Sequence, residues 1–371
     1  MKNAVYLDYN ATAPLKPAVI ACMTAALNVV GNASSVHVYG RDARKRVEDA
    51  REQVAAMVNA RPNQVIFNSC ATEGNNTVLS MYAGKDIWIS EIEHSSVIAS
   101  LPDARRIPVT RNGIIDLDAL AAMFKAHTAP ALISVMYVNN ELGTIQPVKE
   151  IAALARAHGT LVLCDAVQAA GRLPIDMKDM DVDFITLSAH KLGGPQGVGA
   201  MIFRSGIVTR PLIKGGGQER RQRSGTENVA GIAAFGLACD LAVNDMDTYQ
   251  RITPWRDAME KRIAAEAPKA RIFCTDAPRV GNTSVISLPG ISSDTLLMNL
   301  DMAGYAVSSG SACSSGVVQP SRVLKAMGAT DAEAIGALRI SGGWASTEDD
   351  FKGFTDAFIA LYKRLEQKIT D

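Results

Sequence analysis

The chain has 371 residues, 47% of them hydrophobic and 20% charged, with 38 basic and 38 acidic side chains. That is the composition of a globular protein. A formal net charge of zero leaves no overall field to draw in nucleic acid or an anionic membrane. The length makes two domains the natural expectation. In chain order, the N-terminal residues carry no long apolar signal core, and no later run is long enough to span a bilayer, so the cytoplasm is the expected compartment. An apolar run at 64–67 predicts a strand, and the polar stretch after it, containing Ala71 and Thr72, opens a helix. Further strands are predicted at 86–89, leading to His94, and at 131–138, leading to Asn139, Asn140 and Glu141. Residues 148–159 have an apolar stripe at helical spacing and a glycine stop. Two more apolar runs end at Asp165 and at Lys191, and 198–203 adds another strand. Strands alternating with helical patterns from about 45 to 240 predict a parallel α/β sheet. Beyond about residue 245 strands are expected at 282–288 and 337–341, and helices at 294–302 and 320–327. A last helix begins near Ser346, with Ser346 and Asp349 as a capping box and Phe351, Phe354, Phe358 and Leu361 as its apolar stripe.

Six cysteines (Cys22, Cys70, Cys164, Cys239, Cys274 and Cys313) lie far apart with no Cys-x-x-Cys pair. The spacing argues against a disulfide framework and against a metal site. Cys164 lies in an apolar run and reads as a small core residue, whereas Cys313 is flanked by Ser, Gly and Ala, the makings of a mobile exposed loop. A packed cysteine at a strand end is the alternative reading of Cys313.

Function is written in where the polar residues fall. Thr72, His94, Asn140, Asp165 and Lys191 each follow the end of a predicted strand, and in open α/β sheets those carboxyl ends line the ligand crevice. A lysine able to form a Schiff base, with an acid for a pyridinium nitrogen, is the minimum equipment for pyridoxal phosphate chemistry. Lys191 supplies the amine, and the glycines at 193–197 let backbone approach a planar ring. Asp165 suits the ring nitrogen, although an Asp after a strand also caps helices. Gln168 suits the phenolic oxygen, and His94 offers a flat face for stacking. For the phosphate, Ala71 and Thr72 at a helix start, Ser188 and His190 beside the lysine, and the glycine-rich basic loop ending at Thr226 are all suited. Arg220, Arg221 and Arg223 in that loop also permit a nucleic-acid reading, which the neutral charge and missing aromatics weaken. Arg339 has the fork to clamp a substrate carboxylate, and Cys313 would attack as a thiolate.

Motifs running nearly end to end resemble the cysteine desulfurases of the NifS/IscS type, within the class V aminotransferase-like group. They are 6–14, 31–37, 71–73, Glu93 with His94, 139–143, 165–168, 188–191, 223–228 and 308–314. The resemblance implies a pyridoxal-phosphate-dependent transferase fold, aspartate aminotransferase-like. Its large α/β domain would span 13–245, and a small α+β domain of 1–12 and 246–371 would carry the Cys313 loop. It implies a homodimer with active sites near the subunit interface. Lys191 would hold pyridoxal 5'-phosphate, with Asp165, Gln168, His94 and Asn140 on the ring. Ala71, Thr72, Ser188 and His190 would hold the phosphate, joined by Thr226 of the second subunit. Arg339 and Asn10 would bind L-cysteine, Lys191 would move its α-proton, and Cys313 would take its sulfur as a persulfide, releasing alanine. A sulfur-acceptor or iron–sulfur scaffold protein is the implied partner. A selenocysteine lyase, another class V enzyme and a non-enzymatic sulfur carrier are the competing readings. Three positions depart from the expected family pattern: Cys70 stands for glycine, Gly193 and Gly194 for Tyr-Gly, and Trp344 follows Arg339.

Overall fold

A computed structural model describes residues 4–310 and 319–369. The chain opens on a short strand, β1 (Val5–Tyr6), followed by helices α1 (Pro17–Leu27) and α2 (Val38–Met57). The central sheet then collects β2 (Val65–Asn68), β3 (Ile87–Ser90), β4 (Arg105–Ile107), β5 (Leu132–Met136), β6 (Leu161–Asp165), β7 (Phe184–Ser188) and β8 (Gly199–Phe203). Between them run α3 (Ala71–Met81), α4 (Ser95–Ile98), α5 (Leu117–Ala126) and α6 (Val148–Ala157), and α7 (Val229–Asn244) follows. The spatial order is β2-β8-β7-β6-β5-β3-β4.

Every residue of β5 and β7 is buried, because helices cover both faces of the sheet. The covering helices are amphipathic at the expected period: Val148, Ile151, Ala152 and Ala155 of α6 turn inward. The sheet is not wholly parallel. β8 runs antiparallel to both β7 and β2, while β7, β6, β5, β3 and β4 are mutually parallel. Two antiparallel neighbours make β2 parallel to β7, so the carboxyl ends of β2, β3, β5, β6 and β7 share one edge. β4 is too short and too polar (Arg105, Arg106, Ile107) to register as an apolar run, and sequence reasoning missed it.

The second part is built from α8 (Asp247–Glu266), β9 (Arg271–Ile272), β10 (Thr283–Ser287), α9 (Ser293–Met302), β11 (Tyr305–Ala306) and β12 (Ser308–Ser309). It continues through α10 (Arg322–Ala326), α11 (Asp331–Ile335), β13 (Ala337–Ser341) and α12 (Glu348–Leu365). Its sheet runs β12-β13-β10-β9, and β1 pairs with β11, which ties the first residues of the chain to this part. Phe351, Phe354, Phe358 and Leu361 of α12 pack with Leu7, Ile286, Leu338 and Ile340 in a core distinct from that of the large sheet. The capping box of α12 lies one residue later than expected: Thr347 Oγ1 accepts from Asp350 N, and Asp350 Oδ2 accepts from Thr347 N. Ser346 is drawn off because its hydroxyl accepts from Gly343 N.

Candidate active site

The shared carboxyl edge opens into a cavity of about 370 Å³. Its walls include Asn10, Ala71, Thr72, His94, Asn140, Asp165, Gln168, Ser188, His190, Lys191 and Arg339. These residues come from the first loop, five sheet edges and β13. Thr226 does not line the cavity and is exposed at the surface of the chain. Cys313 lies outside the described residues.

Lys191 ends a single 3₁₀ turn after β7 (Ala189–Lys191). Gly193 then takes φ of +89°, and a Cβ on Gly194 would meet Ala189 Cβ at 2.9 Å, so the turn closes against the strand end only with glycine at both places. Lys191 Nζ donates to the carbonyls of Asn10 (2.6 Å) and Ala11 (2.7 Å). Burial, with Arg339 and Arg172 nearby, lowers its pKa from 10.5 to about 8, against the pull of Asp8 and Asp165. At pH 8 about half of such amines are neutral, against about 0.3% for an ordinary lysine. A neutral amine is what carbonyl addition requires.

Asp165 closes β6 at 6% exposure. Its Oδ1 accepts from Val167 N (3.1 Å) and its Oδ2 from Asn75 Nδ2 (3.0 Å). No helix follows directly, so its role is not that of a helix cap; it turns the chain and keeps a carboxylate in the cavity wall. Asn75, one helical turn beyond Ala71, was missed in sequence, although its i+4 spacing places it on the same face of α3. His94 is the N-cap of α4: its Nδ1 accepts from Ser96 N (3.1 Å) and sits 2.9 Å from Ser96 Oγ. Burial, then the charges of Lys191 and Arg322, lowers its pKa, with Asp165 opposing. A neutral ring with Nδ1 as acceptor carries its proton on Nε2.

The end of the cavity expected to take the phosphate is built on α3. Cys70, its N-cap, gives no side-chain cap, and Ala71 N donates to Ser188 Oγ (2.8 Å). Ala71, Thr72 and Ser188 all line the cavity at this helix start. His190, pushed down to about 4 by burial and by Lys191, stays neutral and sits 3.2 Å from Thr12 Oγ1.

Arg339 of β13 is 3% exposed. Its Nη2 donates to Asp8 Oδ1 (2.7 Å) and its Nη1 to Asn140 O (3.1 Å), while Nε has no partner among the described residues. An unpartnered donor on a buried cation in a cavity wall costs stability unless a ligand supplies the acceptor. Asn10 is a hub: its side chain donates to Asn140 O and Thr283 Oγ1, and its carbonyl takes both Lys191 Nζ and Gln168 Nε2. Asp8, which orients Arg339, was not singled out from sequence.

The donor set fits pyridoxal phosphate: an amine held near neutrality, a buried carboxylate, a neutral aromatic face, and an anion corner at a helix start. The sequence profile of the family aminotransferase class-V matches residues 5–354. This chain belongs to the class-V aminotransferase family. The cysteine desulfurase IscS of Dictyoglomus turgidum is 36% identical over 380 residues, covering 98% of this chain and 96% of that protein. Among solved structures, a NifS-like protein from Rickettsia africae superposes with a TM-score of 0.91 at 34% identity, covering 97% and 99% of the two chains. A structure described as SspA in complex with cysteine matches with a TM-score of 0.77 at 28% identity, covering 91% of this chain and 98% of that one. Within the class-V family, the chain therefore stands with the NifS/IscS-type proteins.

Two buried carboxyl groups of this class-V chain flank the cavity. Glu93, with no exposed surface, accepts from Met136 N (2.7 Å) and Ser134 Oγ (3.3 Å). Burial and the charge of Asp165 push it up from 4.5 to about 8. Glu141 is pushed up to about 7 by burial and accepts from Ser321 Oγ (2.6 Å). Gly310 lies against the same Glu141 oxygen, where a Cβ would come within 3.0 Å. For an acid whose folded pKa is raised, the stability contribution is fully present below the unfolded value and is lost as pH rises through the folded one. The Glu93→Gln variant stays neutral, so its melting temperature relative to wild type should climb between about pH 4.5 and 8. A difference that stays flat across that window would show Glu93 to be ionised throughout.

Proposed function

We propose that the chain is a pyridoxal-phosphate-dependent cysteine desulfurase. The observation that carries this reading is the cavity in which Lys191, a near-neutral amine, faces Asp165 while Arg339 keeps a buried donor free for an anionic ligand. Lys191 would hold the cofactor, Asp165 its ring nitrogen and Gln168 its phenolic oxygen. His94 would lie on the ring, Asn140 beside it, and Ala71, Thr72, Ser188 and His190 around the phosphate. When bound, the cofactor withdraws electrons from the substrate α-carbon. Arg339 binds the carboxylate of L-cysteine, with Asp8 and the Asn140 carbonyl fixing its fork and Asn10 bracing the wall. Lys191 removes the α-proton and returns a proton to carbon, a role its lowered pKa suits. The Cys313 thiolate attacks the substrate sulfur. The substrate C–S bond breaks as the new S–S bond forms, leaving a persulfide on Cys313 and alanine as the other product.

The persulfide sulfur is transferable to a thiol, which makes a thiol-bearing acceptor, such as an iron–sulfur scaffold protein, the partner we propose. We further propose a homodimer. Val30, Val36, Val38 and Tyr39 are all more than 60% exposed around the start of α2, an apolar surface that a second copy would cover, and Thr226 is exposed where a partner's site could use it. Sedimentation of the full chain should give twice the 39.5 kDa chain mass, and a monomer at micromolar concentration would exclude the dimer. Five described cysteines are unpaired, which suits a reducing cytoplasm. The deciding test of activity is alanine formation from L-cysteine by the cofactor-loaded protein with a thiol reductant. No alanine would sink the reading, and faster turnover of selenocysteine would shift it to a lyase.

A further inference from the structure

Among the described residues, Arg172 is a buried cation without a carboxylate partner. It follows the turn after β6, seven residues beyond Asp165, at 4% exposure. Its Nη1 donates to the Gln168 carbonyl (3.1 Å) and closely to Gln168 Oε1, while Nε and Nη2 find no hydrogen-bond partner. The guanidinium lies 5.5 Å from the centre of the Tyr249 ring, which supports it through its π-face and its phenol. A buried charge left unpaired is costly. Its position behind a cavity residue gives that cost a use.

The contact decides which way the Gln168 amide points. Gln168 Nε2 donates to Asn10 O (3.0 Å), the carbonyl that also receives Lys191 Nζ. Turned over, the amide would set its NH₂ against the guanidinium N–H and its oxygen against the Asn10 oxygen, two repulsive contacts in place of two bonds. The amide therefore uses one N–H on Asn10 and keeps the other for an acceptor in the cavity. The charge also reaches Lys191: Arg172 and Arg339 favour its neutral form, while Asp8 and Asp165 oppose them, and His94 and His190 face it as neutral rings.

We propose that Arg172 is a positioning residue that locks Gln168 as a hydrogen-bond donor toward the cavity and stands as an uncompensated positive charge beside Lys191. The inference rests on the pyridoxal phosphate reading for the identity of the acceptor, an anionic ring oxygen. Removing Arg172 frees the amide to rotate and removes a cation, and both changes favour the protonated form of the lysine-linked cofactor.

The test is a pH titration of the visible absorption of the cofactor-loaded protein in wild type, Arg172→Met, Arg172→Lys, Gln168→Ala and the Arg172→Met, Gln168→Ala double variant. In Arg172→Met the midpoint should rise by roughly one pH unit. Arg172→Lys, which keeps the charge, should rise less. Gln168→Ala should shift the midpoint less in the Arg172→Met background than in wild type, since the two residues act as one unit. Full additivity, or a midpoint in Arg172→Met unchanged from wild type, overturns the proposal. Should Arg172→Met not fold, Arg172→Gln removes the charge while keeping a donor, and an unmoved midpoint there is equally decisive. A cofactor-free arm follows the pH dependence of Lys191 modification by an amine-directed reagent, read by peptide mass spectrometry. Its midpoint should rise in the charge-removing variants, and no rise overturns the electrostatic role. If wild type takes up no coloured cofactor, the functional reading fails, and this arm still judges Arg172.

Discussion

Lys191→Ala is expected to lower alanine formation by about 10³-fold or more, because in the proposed mechanism one side chain supplies both the attachment of the cofactor and the proton transfer at the α-carbon. The fold should survive. Lys191 is only partly buried, and of its two acceptors the Asn10 carbonyl still receives Gln168 Nε2. Borohydride reduction of the loaded wild type should fix the cofactor on the peptide containing Lys191, and on no peptide of the variant. Because burial holds the amine at about 8, modification of Lys191 in the cofactor-free protein should half-saturate near that pH, well below the ordinary lysine value of 10.5. Turnover within tenfold of wild type in Lys191→Ala would remove the amine from the mechanism.

Cys313→Ser should be nearly as damaging for a different reason. A serine hydroxyl ionises far above neutral pH and is a poor acceptor of sulfur, whereas a thiolate is accessible and strongly nucleophilic. Alanine formation should fall roughly 10³-fold, while the visible absorption of the bound cofactor and its response to added cysteine persist. After a pulse of L-cysteine, wild type should gain one sulfur atom on the peptide carrying Cys313. Cys70, which lines the cavity, provides an internal control. An adduct on Cys70, or full activity in Cys313→Ser, would make Cys313 incidental and leave a different class-V chemistry on the same scaffold.

The departures noted in sequence resolve into local contacts. Cys70 caps α3 without a side-chain bond, so its thiol takes up none of the first-turn N–H groups, of which Ala71 N is held by Ser188 Oγ. Trp344 donates from Nε1 to Pro14 O (3.0 Å), pinning the segment that follows β13 to the loop carrying Asn10. The Trp344 contact was not visible in the residue pattern, since it joins positions 330 residues apart.

Sequence alone identified what depends on residue type and short spacing. Strands β2, β3, β5, β6 and β7 announce themselves as apolar runs because both faces of a helix-covered sheet are dry. The polar residue after each run marks the catalytic edge because chain direction, not sequence distance, aligns those ends. The chemistry of Lys191 and Asp165 was legible in the same way, as amine and acid are properties of the side chains themselves. Tertiary structure decided what depends on who stands beside whom. It turned β8 against its neighbours, formed the short edge strand β4, and brought Asp8 to Arg339 and Arg172 to Gln168. It also took Lys191 down to about 8 and Glu93 up to about 8. A pKa, an amide's orientation and an unpartnered donor are set by burial and by charges from distant parts of the chain. Those distances collapse only when the two cores pack around one cavity.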